Sequence, residues 1–278
     1  MIKNLILRTV SGAVFISVMI AAIWFPPYLF GAVFLLITVL GLREFYVLSD
    51  AIEGVKTSKI FSIISGTILF LCFFSTNFLN TQSEVLVNLL LGLYVLSVTT
   101  LFLIELFRNQ KNPIQNIAIS LMGHIYVTLP FAFICLMESS HKIFVLAFFL
   151  IIWASDTGAY LTGICIGKHK MFERISPKKT WEGFFGGMIF ALITGFIFNY
   201  LTENNRLFEL WQWLIFALII FIFGTLGDLV ESMFKRSLNV KDSGSFLPGH
   251  GGLLDRFDSA IIAAPVAFVF LILCSLHF

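Results

Sequence analysis

"IFVLAFFLIIWASDTGAYLTGICI", residues Ile143 to Ile166, is an apolar run interrupted by one charge, Asp156. A helix needs about 20 mostly apolar residues to cross the hydrocarbon core of a bilayer, and this run is long enough. Eight further runs of the kind are legible, near 9–25, 28–48, 60–79, 85–107, 115–137, 183–201, 208–228 and 259–277. The whole chain agrees: 58% of its 278 residues are hydrophobic and 12% charged, against about half and a quarter in an ordinary globular domain. The fold expected is an all-α polytopic integral membrane protein with about nine transmembrane helices. The first run leads into Phe25-Pro26-Pro27 rather than a small-residue cleavage site, so it reads as a retained span.

Net charge is only +2, but the cations are unevenly placed. With the N-terminus cytoplasmic and the C-terminus external, only Lys142 and Arg206 of the 18 Lys and Arg fall outside. That satisfies the positive-inside rule and supports an odd number of spans. The expected location is the plasma (inner) membrane if the source is bacterial, with the polar clusters facing the cytoplasm. Cys72, Cys135, Cys165 and Cys274 lie in or beside spans without metal-ligand spacing, so neither a disulfide framework nor a zinc site is indicated.

Two regions differ in kind. Residues 1–140 hold about five spans joined by plain loops. Residues 141–278 hold about four, with polar cytoplasmic loops at 167–182 and 229–258. No internal repeat is evident, which weakens an inverted-repeat transporter. The 33 phenylalanines are scattered through the spans as packing or lipid-facing groups.

Four clusters carry possible chemistry. Asp156 is costly at membrane depth and needs a polar cavity or a buried cation as partner. In the second, Ser176 and Pro177 read as N-cap and first residue of a helix, which puts Lys178 and Lys179 in its first turn against the macrodipole. An anion such as phosphate would offset them; the plainer reading makes them topology determinants or lipid-headgroup contacts. In the third, Asp228, Glu231, Ser232 and Lys235 recur at i, i+3, i+4 and i+7, so a continued helix would present them on one stripe. In the fourth, Gly249, Gly251 and Gly252 permit close backbone approach to a ligand, and Asp255, Asp258 and Ser259 share a helix face. Two helix ends each presenting an aspartate suit Mg2+, which takes one or two carboxylates and completes its shell with phosphates and water. A tight turn with Asp255 as a cap and Arg256 in an ion pair would account for any one of these residues, though not for all together.

The sequence resembles the phosphatidate cytidylyltransferases (CDP-diacylglycerol synthases) at Ser232-Met-Phe-Lys235-Arg236, Lys241-Asp242, Pro248-Gly-His250-Gly251-Gly252 and Asp255-Arg256-Phe-Asp258. "SDTGAY", "SPKKTWEG" and "GDLVES" are similar to family segments too, so the likeness spans about 150–260. It implies transfer of CMP from CTP to phosphatidate, giving CDP-diacylglycerol and pyrophosphate. Asp228 and Asp255 then correspond to metal-binding residues, with Mg2+ as cofactor. Ser176, Lys178, Lys179 and Thr180 correspond to part of the nucleotide site. Lys178, Lys179, Lys235, Arg236 and Lys241 are expected on phosphates and His250 on the nucleotide or pyrophosphate. Asp156, Asp242, Gly251, Gly252, Arg256 and Asp258 are expected to line the substrate site, with a second metal ligand as the alternative role of Asp156. Membrane lipid is a partner, a homodimer is suggested, and no nucleic acid is expected. The rivals are a polyprenol kinase using CTP and, from another class, a secondary transporter with Asp156 as its coupling carboxylate.

Overall fold

The computed structural model describes residues 12, 14, 16–78, 83–203, 207–240, 242–244 and 251–275. Lys241 and His250, with Pro248 and Gly249, lie outside them, as does much of the first predicted span, of which 16–24 is helical. Among the described residues eight helices are long and apolar enough to cross a bilayer. They follow the remaining eight predicted runs, so the chain is an all-α polytopic membrane protein.

In chain order the helices are α1 (Pro27–Ser49), α2 (Lys59–Phe78), α3 (Ser83–Arg108), α4 (Pro113–Gly123), α5 (Leu129–Ser140), α6 (Lys142–Ile166), α7 (Trp181–Thr202), α8 (Leu210–Ser237) and α9 (Leu254–Ser275). One π-helical turn, His124–Thr128, joins α4 to α5 within a single span. Pro130 explains it: proline has no N–H for the carbonyl four residues back, at Tyr126, and its ring crowds that carbonyl, so the turn widens locally. The only sheet among the described residues is an antiparallel ribbon of β1 (Lys170–Phe172) and β2 (Ser176–Thr180), with Lys170 opposite Thr180 and Phe172 opposite Ser176.

The chain folds as two compact units, Met1–Ser140 with Leu238–Phe257, and His141–Ser237 with Asp258–Phe278. In the first, an aromatic core of Phe34, Phe131 and Phe257 is fully buried, Phe131 meeting Phe257 edge-on at 5.1 Å. Two polar networks sit inside it. The Asn116 amide donates to Glu105 Oε2 at 2.8 Å and accepts the Lys56 N–H at 2.8 Å. The His124 ring reaches the Ser62 carbonyl at 2.9 Å and the Tyr94 hydroxyl at 3.2 Å. Buried polar groups in a hydrocarbon environment must pair internally, and these do.

In the second unit small residues set the helix spacing. A Cβ on Gly187 of α7 would lie 2.9 Å from the Ser155 carbonyl of α6, and one on Gly227 of α8 only 2.5 Å from the Asp258 carbonyl of α9. The consequence for the site is direct: Gly227 lets α8 approach α9 at the residue beside Asp228.

Two sequence expectations change. α8 runs through the polar stripe to Ser237, leaving 238–253 between it and α9 in place of the expected 229–258. The helix expected to begin at Ser176 instead begins at Trp181, with Thr180 as its extended N-cap and Thr180 Oγ1 accepting the Gly183 N–H at 3.2 Å. Pro177 restricts Ser176 to extended backbone, and pairing with β1 satisfies the segment as a strand. Lys178 and Lys179 therefore lie ahead of α7 rather than in its first turn.

Candidate active site

The second unit contains a cavity of about 520 Å³ whose walls include Asp156 of α6, Asp228 of α8 and Lys170, Lys178, Lys179 and Thr180 of the ribbon. Each element contributes for a local reason. Asp156 follows the close contact at Ser155, and Asp228 follows Gly227, so both carboxylates stand beside close helix approaches. The ribbon that carries the lysines is clamped at its N-terminal end: Trp181 N–H donates to the His169 carbonyl at 2.9 Å, and the Glu182 carboxylate accepts the Lys168 N–H at 3.0 Å. Apolar groups complete the walls, among them Tyr160, Phe184 and Phe221.

Lys179 Nζ lies 2.7 Å from Asp228 Oδ2 and donates to the Thr225 carbonyl at 3.4 Å, tying the ribbon to α8. One turn along α8, the Ser232 hydroxyl donates to Asp228 Oδ1 at 3.2 Å, and Lys235 pairs with Glu231. The expected i, i+3, i+4, i+7 stripe is thus present. Asp156, Asp228 and Asp258 act on one another electrostatically, with Lys179 in range of Asp156 and Lys235 in range of Asp258. The aspartate carboxylates are hard oxygen donors, the ligand type a divalent cation takes. No three His, Cys, Asp or Glu side chains among the described residues are gathered into a metal cage. Mg2+ does not need one, because phosphates and water fill most of its octahedron.

The expected site residues belong to both units. Asp156, Ser176, Lys178, Lys179, Thr180, Asp228, Lys235, Arg236 and Asp258 belong to the second unit. Ser176 opens β2 away from the cavity walls, and Arg236 is exposed. Asp242, Gly251, Gly252, Asp255 and Arg256 belong to the first. There Asp255 Oδ2 accepts the N–H groups of Gly252 at 2.7 Å and Ser243 at 3.0 Å, and Gly251 adopts φ +82°, a conformation glycine takes without strain. Asp242 is exposed, while Arg256 N–H donates to the Leu253 carbonyl at 3.0 Å at the start of α9.

Three residues escaped the sequence reading. Lys170 and Glu182 carry no pattern in the sequence that sets them apart from the other charges of their loop. Glu44, the one acid in α1, accepts the N–H groups of Leu253 at 2.8 Å and Leu254 at 3.0 Å and the Ser243 hydroxyl. A lone carboxylate near the end of an apolar span was the available signal.

A family model described as the cytidylyltransferase family matches residues 6–274. The chain belongs to that family. Its similar relatives include proteins named phosphatidate cytidylyltransferase from Staphylococcus haemolyticus, 45% identical over 158 residues, and Staphylococcus saprophyticus, 46% identical over 158 residues. Each of these matches covers 57% of this chain and 60% of the relative. A third, from Staphylococcus epidermidis, is 40% identical over 181 residues, 65% of this chain and 68% of the relative. The chain thus spans about 60% of the length of the first two relatives it matches.

Proposed function

We propose that this chain transfers CMP from CTP to phosphatidate, forming CDP-diacylglycerol in the bilayer and releasing pyrophosphate. The observation that carries the reading is the cavity in which Asp156 and Asp228 face Lys170, Lys178 and Lys179. Membership of the cytidylyltransferase family and the names of the staphylococcal relatives support it.

In this reading an ionised phosphate oxygen of phosphatidate attacks the α-phosphorus of CTP. A new P–O bond forms there, the bond to the β-phosphate oxygen breaks, and pyrophosphate leaves. The nucleophile is already an anion near neutral pH, so no strong general base is needed. The obstacle is repulsion between two anionic substrates. Lys170, Lys178 and Lys179 relieve it by drawing the triphosphate to one wall, and preorganised charge acts more strongly in a cavity than in water. Asp228, with Asp156 and Asp258 in range and Asp255 added by the motif, would hold Mg2+, which supplies charge neutralisation on the phosphates. Lys235 lies beside these carboxylates through Glu231. The roles of Arg236, Lys241, Asp242, His250, Gly251, Gly252 and Arg256 rest on the motif alone. The cation bias along the chain supports a site on the cytoplasmic side.

The test is turnover by purified protein in phosphatidate-containing micelles with CTP labelled in the α-phosphate. Label is expected in lipid, with equimolar pyrophosphate, and only with Mg2+ present. Label remaining in CDP would mark γ-phosphate transfer and overturn the proposal, and turnover without divalent cation would remove the metal from it.

A further inference from the structure

Glu182 does not line the cavity, yet it holds the segment that does. Its Oε2 accepts the N–H groups of Lys168 at 3.0 Å and His169 at 3.2 Å, and its Oε1 meets His169 Nδ1 at 2.5 Å. The Trp181 N–H, donating to the His169 carbonyl at 2.9 Å, closes the clasp from the other side. The residue after His169 is Lys170, which opens β1 and pairs with Thr180, the last residue of β2.

The ribbon needs such an anchor. Its strands are three and five residues long, and an isolated two-stranded ribbon is marginally stable in water. It also brings Lys170, Lys178 and Lys179 to one wall, where like charges repel. Lys179 is held by Asp228. At the opposite strand the fixed point is the Glu182 clasp, made of charge-assisted bonds, the stronger kind.

We propose that Glu182 is a positioning residue for polyphosphate binding: its carboxylate clasps Lys168 and His169 and thereby fixes the ribbon lysines at the spacing that receives the nucleotide's phosphate chain. This rests on the cytidylyltransfer reading and extends it to a residue outside the cavity. A helix cap alone would change stability and affect both substrates alike. A positioning clasp acts on the phosphate-bearing, water-soluble substrate and leaves the lipid substrate's KM unmoved.

The experiment compares wild-type full chain, E182A and E182Q for kcat, KM for CTP, KM for phosphatidate and inhibition by inorganic tripolyphosphate. E182A should raise KM for CTP and the inhibition constant of tripolyphosphate in parallel, by about tenfold, the scale of one lost charge-assisted contact. KM for phosphatidate and kcat should stay within about twofold. E182Q, which keeps an acceptor oxygen, should recover part of the loss. Unchanged KM for CTP in E182A, or an equal rise in both KM values with a fall in kcat, overturns the proposal. Should E182A not fold, H169A removes only an exposed imidazole and is expected to raise KM for CTP about threefold; no rise overturns the proposal equally. Calorimetric titration of tripolyphosphate into wild type and E182A separates this inference from the reading beneath it. Equal affinities sink the clasp even if the wild type makes CDP-diacylglycerol, and weaker binding by E182A supports it even if CTP is used differently.

Discussion

Lys179 of the ribbon and Asp228 of α8 form an ion pair at 2.7 Å on the wall of one cavity. The pair joins the two chemical halves of the site, an ammonium suited to phosphate and a carboxylate suited to a cation. Each is partly exposed, so the contact contributes little to stability by itself. Its value lies in placement.

Replacing Asp228 with Asn keeps the shape of the side chain and removes its charge. Turnover should fall at least about 100-fold, the scale seen when one preorganised electrostatic group is lost. Folded, membrane-inserted yield should be unchanged. K179M should instead act mainly through KM for CTP. Because the two side chains touch, the double variant should lose less than the sum of the single losses. A steady-state assay of the four proteins checks this, and additive losses would mean that the pair does not act as a unit.

Much of this was legible in the sequence for physical reasons that differ by element. Spans announce themselves because a bilayer imposes length and apolarity, and the Asp228 to Lys235 stripe follows from helical periodicity once α8 continues. The lysine ribbon is not legible in the sequence because Ser176-Pro177 suits a helix start and a strand equally. Thr180 decides the matter by capping α7, and that choice depends on pairing with Lys170 across a turn. The role of Glu44 was beyond local pattern, since its partners lie at Ser243, Leu253 and Leu254, 199 to 210 positions away. Asp255 was singled out for metal from its motif; its hold on the Ser243 and Gly252 amides appears only when the loop is seen folded.

Removing the Glu44 carboxylate leaves the Leu253 and Leu254 N–H groups at the start of α9 without the acceptor that now serves them. A hydrogen bond to a charged group contributes about 1.5–3 kcal/mol net, and water reaching these part-buried amides recovers part of the loss. E44A should therefore lower stability by about 1–3 kcal/mol, with E44Q less affected because one acceptor oxygen remains. Thermal melting in detergent gives the magnitude. Hydrogen exchange gives the location, with faster exchange expected at Leu253 and Leu254. Unchanged protection at those amides in E44A would show that the staple is dispensable.

Asp156 keeps its place in the cavity wall only while α6 and α7 pack closely. A methyl group on Gly187 would lie 2.9 Å from the Ser155 carbonyl, 3.0 Å from the Phe221 ring and 3.1 Å from the Ala159 Cβ. The first of these is helix backbone, which cannot step aside as a side-chain tip can. G187A should therefore push α6 outward and cost about 1–3 kcal/mol, as overpacking commonly does. Asp156 adjoins Ser155, and Phe221 is itself a wall of the cavity, so turnover should fall with stability. The control is G92A on α3, where an added Cβ meets nothing within 4 Å. There the better helix propensity of alanine should leave the protein unchanged or more stable by up to about 1 kcal/mol, with full activity. If G187A melts and turns over like G92A, close approach at Gly187 is not what places Asp156.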